Sequence, residues 1–81
     1  MEQQLRAALQ QAFARSEVEL DTSPDGAYSG LLIWDGFEDQ DSIDRHRRVK
    51  QALVDLLKED AENVGMLFTY TPREMAAMRA A

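Results

Sequence analysis

The sequence predicts an α+β domain of order αββαβα, a three-stranded mixed sheet with helices packed on one face. Three observations predict it. Apolar residues recur at three- and four-residue spacing near the start, in the middle and at the end of the chain, the period of amphipathic helices. Between them, residues 17–21, 28–34 and 64–70 show polar–apolar alternation or a short apolar run, the patterns of strands. Turn residues punctuate the boundaries, at Pro24-Asp25-Gly26, Asp35-Gly36 and Thr71-Pro72.

The first helix is predicted over residues 2–15, where Leu5, Ala8, Leu9, Ala12 and Phe13 form one stripe. Glu2 suits the positive end of its dipole and Arg15 the negative end. Glu17-Val18-Glu19-Leu20-Asp21 alternates as a half-buried strand does. Thr22 to Gly26 makes a turn, and Tyr28 to Trp34 follows as a second, more apolar and more central strand joined to the first as a hairpin. Asp39, Asp41 or Ser42 then caps a helix that runs to about Asp60, with Ile43, Val49, Ala52, Leu53, Leu56 and Leu57 on its buried face. Val64 to Tyr70 is the third strand, returning parallel to a neighbour across that helix. Thr71-Pro72-Arg73-Glu74 matches a capping box with proline at the first helical position, opening a short helix with Met75, Ala76, Met78 and Ala80.

Eighty-one residues make a single domain, 1–81, with room for one small core and none for a deep catalytic cleft. The longest apolar stretch, Leu31-Leu32-Ile33-Trp34, is too short to span a bilayer, and the first residues lack the basic and apolar regions of a signal peptide. A cytoplasmic location is expected. The absence of cysteine excludes disulfides, thiolate metal sites and cysteine nucleophiles. Nine basic against fifteen acidic side chains leave a net charge of −6, which repels phosphate backbones and anionic membranes. Four of the nine cations, Arg45, Arg47, Arg48 and Lys50, nevertheless crowd around His46.

Phe37-Glu38, followed by Asp44-Arg45-His46-Arg47-Arg48-Val49 on a helix, resembles the F-E-G … E-R-H-R-x-V signature of the BolA family, and Thr71-Pro72-Arg73-Glu74 resembles that family's T-P-E-E helix start. The resemblance covers roughly residues 4 to 78. It implies a type II KH-like (BolA-like) fold. It also implies a small adaptor for monothiol glutaredoxins, able to share a [2Fe-2S] cluster, with some relatives linked to transcriptional regulation and stress-induced cell shape. The chain departs from the family at the cluster ligands. The histidine at the start of the last strand falls on Asn63 or Gly65, and Thr22–Gly30 holds neither histidine nor cysteine. Clusters want thiolate or imidazole donors, so no cofactor is expected.

The candidate site is therefore a protein-docking surface, built from Arg45, His46, Arg48 and Lys50 on the second helix together with the Trp34–Phe37 corner. Each feature also has a structural reading. Asp41 and Asp44 can neutralise the arginines locally at three- and four-residue spacing. The family resemblance implies a His46 at the core edge bonded to backbone, and Trp34 and Phe37 can pack against the second helix. The acidic run Asp35, Glu38, Asp39 and Asp41 lacks the spacing of a calcium loop and reads as a solvated helix start. One histidine carries no Ser/His/acid arrangement, and no catalytic or metal residue is assigned. The G-x-x-G clamp of nucleic-acid-binding KH domains is absent, so a protein partner of monothiol-glutaredoxin type is expected ahead of nucleic acid.

Overall fold

Antiparallel pairing of Glu17–Thr22 (β1) with Tyr28–Ile33 (β2), and parallel pairing of β2 with Val64–Tyr70 (β3), gives a three-stranded mixed sheet of order β1-β2-β3. The apolar second strand is central, as its composition predicts. The computed structural model describes residues 2–80; Met1 and Ala81, the ends of the expected domain, lie outside the described residues. Three helices complete the order: Glu2–Ala12 (α1), Ser42–Leu57 (α2) and Pro72–Ala80 (α3).

The hairpin between β1 and β2 closes as its residues dictate. Ser23 N–H donates to the Ala27 carbonyl, Gly26 adopts φ +88°, and the Asp25 carboxylate accepts from the Ser23 hydroxyl and the Ala27 N–H. Those two donors hold the Asp25 carboxyl below its ordinary pKa, the Ser23 hydroxyl contributing most.

Strand alternation sorts the sheet into two faces. Val18, Leu32 and Leu67 point inward with Thr69, and meet Leu5 and Leu9 of α1, Phe13 just after it, and Val49 and Leu53 of α2. Each of these apolar side chains contributes about 1.5–3 kcal/mol by leaving water. The expected stacking of helices on one face is seen in α1 and α2. On the register, Glu19, Leu31 and Phe68 share the other face, and Arg79 of α3 reaches Glu19 there at 3.9 Å.

Two helices are shorter than the sequence predicts. α1 stops at Ala12, and Arg15 turns the chain with φ +68°. α2 stops at Leu57, where Lys58 takes φ +55° and a 3₁₀ segment, Lys58–Asn63, follows. Glu59, Asp60 and Glu62 would have placed negative charge at the negative end of the dipole, which opposes extension. Some expected core residues are also exposed. Ile43 lies off the Val49–Leu53 stripe, and Leu56 borders a groove of about 300 Å³ beside Gln4, Ala7 and Ala8 of α1. Met75 is buried, whereas Met66 and Met78 are exposed.

The capping box forms as read: Glu74 N–H donates to Thr71 Oγ1 at 3.1 Å, and Glu74 Oε1 accepts from Thr71 N–H at 2.9 Å. Asp41 is the residue that caps α2, accepting from Asp44 N–H at 2.8 Å. No helix of the described residues is long and apolar enough to cross a membrane.

Candidate functional site

The basic cluster does not act as one patch, because a helix turns 100° per residue and sends its members to different neighbours. Arg45 points at the end of the sheet. Its side chain is 12% exposed and donates from Nη1 to Glu74 Oε1 (2.7 Å), from Nη2 to Glu74 Oε2 (3.2 Å), from Nη1 to the Thr69 carbonyl (3.3 Å) and from Nε to the Gln40 carbonyl (2.9 Å). Arg45 is thus a strut tying α2 to β3 and α3. Glu74 answers in kind: the Arg45 guanidinium and the Thr71 N–H hold its carboxyl below the ordinary range, although the group is partly exposed. The expected local pairing of Asp41 or Asp44 with Arg45, Arg47 or Arg48 is not among the ion pairs of the described residues. Asp41 spends its carboxylate on the cap instead.

Arg48 takes a second direction. Its guanidinium carbon lies 4.8 Å from the centre of the Trp34 ring, a cation–π contact. Trp34 meets Phe13 (5.0 Å between ring centres) and Phe37 (5.1 Å) edge-on, and its indole N–H donates to the Ala14 carbonyl at 3.0 Å. Phe37 is wholly buried and offers no surface to a partner. The Trp34–Phe37 corner is the aromatic end of the core, where the packing reading of the sequence placed it.

His46 and Lys50, four residues apart, share a third direction. Both are exposed, and both line an open groove of about 670 Å³ between α2 and β3. His46 is not the core-edge residue that the family pattern suggested; the hydrogen bonds of the described residues give it no backbone partner. Val49, Leu53 and Leu67 floor the groove, Val54 and Met66 add exposed apolar surface, and Lys58 lines it as well. Glu62 is its one acid. Of the six residues expected to contact a partner, the groove therefore gathers His46 and Lys50, while Arg45, Arg48, Trp34 and Phe37 are engaged elsewhere. Lys58 was missed. Lys58 follows Lys50 by about two turns, a spacing that could have flagged it.

The cluster ligation implied by the family resemblance does not fit these residues. His46 is the single imidazole of a chain without cysteine. Gly65, on the groove wall, has no side chain to offer, and Asn63 offers an amide. Nowhere among the described residues do three or more histidine or carboxylate side chains converge as a metal site would require. The acidic run before α2 supplies a cap and a surface pair, Glu38 with Arg73 at 3.8 Å.

The fold has close counterparts among solved structures. A bolA protein homologue from Coxiella burnetii superposes with a TM-score of 0.73 over 94% of this chain and 96% of its own, at 24% identity. A bol-like protein from Babesia bovis gives 0.70 over 98% and 93%, at 17% identity. BolA1 from Arabidopsis thaliana gives 0.68 over 89% and 92%, at 21% identity. No family model matches the chain, and no curated protein matches its sequence. At these identities the likeness is one of fold: the chain has the BolA-like architecture.

Proposed function

We propose that the chain is a small non-enzymatic adaptor that docks a partner protein, of monothiol-glutaredoxin type, through the groove between α2 and β3. One observation carries this reading. A domain of net charge −6 keeps His46, Lys50 and Lys58 around a groove whose floor is apolar. Charge of local sign orients an encounter, and desolvated apolar surface then holds it.

Gel filtration and calorimetry with a purified monothiol glutaredoxin test the reading. A complex is expected, weakened by about tenfold or more in a Lys50→Glu/Lys58→Glu double variant. Absence of a complex with the unaltered chain would reject it. The alternative, a KH-like nucleic-acid-binding transcriptional regulator, predicts a steeply salt-dependent isotherm with labelled DNA or RNA.

A further inference from the structure

The two edges of the sheet are built differently. β1 carries Glu17, Glu19 and Asp21, and charges along an edge deter the addition of another strand. β3, the opposite edge, reads Val64-Gly65-Met66-Leu67-Phe68-Thr69-Tyr70, with no charge and no proline, and leaves Met66 58% and Phe68 50% exposed. Nothing in its composition guards it against pairing.

Its backbone direction is set at its C-terminal end. The Tyr70 carbonyl accepts from Trp34 N–H, on the β2 side. The Thr69 carbonyl accepts from Arg45, on the outer side. Because successive residues of a strand send their N–H and C=O groups to alternate sides, Leu67, two residues before Thr69, also directs its pair outward. Arg45 closes the edge at Thr69. From Gly65 to Leu67 the edge forms one wall of the groove, and His46, Lys50 and Lys58 stand around the groove.

We propose that this groove receives an extended acidic segment of the partner protein, which adds to the outer edge of β3 as a fourth strand. The inference rests on the protein-docking reading above and specifies its mode. Main-chain bonds to Leu67 supply register, carboxylates of the segment meet Lys50 and Lys58, and its apolar side chains cover Met66 and Val54. A second copy of this chain is a poor occupant. Pairing β3 with β3 brings two cationic rims together, and Val18 and Leu20, the apolar residues of the acidic β1 strand, face its own core.

The probe is a fluorescein-labelled peptide, Asp-Val-Glu-Val-Glu-Val-Asp, titrated into the full chain. Saturable binding is expected, with slowed hydrogen exchange at the Leu67 amide, and a loss of about tenfold or more in Lys50→Glu/Lys58→Glu. Methylating alternate backbone nitrogens of the peptide should abolish binding, while a Lys-for-acid version should not bind. No saturation, or binding indifferent to backbone methylation, would overturn the proposal. If glutaredoxin still binds and the peptide neither binds nor competes, strand addition fails and the adaptor reading stands. If neither binds, both fall. Binding of a labelled oligonucleotide in the same groove, lost in the same double variant, would also overturn it.

Discussion

Arg45 and Glu74, twenty-nine residues apart in sequence, form a two-pronged ion pair with contacts of 2.7 and 3.2 Å. The pair joins the start of α2 to the first turn of α3, and Arg45 reaches the Thr69 carbonyl of β3 on the way. One guanidinium thus fixes three elements at the end of the sheet.

Removing Arg45 leaves two carbonyls and a carboxylate without their donor. Arg45→Ala is expected to cost about 2–3 kcal/mol, measured as a fall in the urea midpoint. Glu74→Gln keeps an acceptor but loses the charge, and its cost should be about 1 kcal/mol, since Glu74 is 43% exposed and solvent screens the pair. The pH dependence has a definite sign. The Glu74 pKa is lowered in the folded state from its ordinary 4.5, so its contribution is present above that value and is lost as pH falls through the lowered one. Subtracting the acid-unfolding curve of Glu74→Gln from that of the unaltered chain should give a difference that vanishes below this window. A difference that persists undiminished into strong acid would contradict the assignment.

Two glycines are required for different reasons. At Gly30 an added Cβ would land on the Glu19 carbonyl oxygen of the paired strand, so backbone has to move. At Gly26 nothing stands within 4 Å, and the cost is the φ of +88° alone. Gly30→Ala should therefore destabilise by about 2–3 kcal/mol and Gly26→Ala by about 1 kcal/mol. Equal urea midpoints for the two variants would refute the distinction.

Much of this architecture was legible because its signals are local. The Pro24-Asp25-Gly26 turn, the Thr71–Glu74 capping box and the apolar β2 strand each announce themselves within a few residues. The site was less legible, for a geometric reason. Helical spacing gives the angle at which Arg45, Arg48 and Lys50 leave α2, but not what stands at each angle. Arg45 meets a carboxylate supplied from α3, Arg48 meets an indole from the end of β2, and only Lys50 meets open space. The acids Glu59, Asp60 and Glu62 oppose a longer α2 but do not single out Lys58 as its stop, since a lysine with φ +55° is uncommon.

Arg48 should prove separable from the groove. It lies over Trp34, the one tryptophan of the chain, so intrinsic fluorescence reports its removal directly. Arg48→Ala is expected to shift the emission and to cost about 0.5–1 kcal/mol, with partner binding unchanged. Lys50→Ala should do the reverse, weakening the partner and leaving emission unchanged. A loss of binding in Arg48→Ala at unaltered stability would instead extend the docking surface around the helix to the Trp34 corner.

Lys58 sets backbone geometry against charge. Its φ of +55° and ψ of −124° place an L side chain in a conformation that glycine adopts freely. Lys58→Gly removes the steric cost, of about 1 kcal/mol, and also removes a cation from the groove. Increased loop freedom in the unfolded chain offsets part of that gain. The expected result is a protein as stable as the original or more so, with weaker partner binding. Lys58→Ala provides the contrast: the charge is equally absent but the strain remains, so binding should fall by a similar factor while the urea midpoint does not rise. A glycine variant that loses both stability and binding would mean that the lysine stem packs in the groove wall and supports it. A glycine variant that binds as well as the original would remove Lys58 from the docking surface and leave Lys50 and His46 to orient the partner alone.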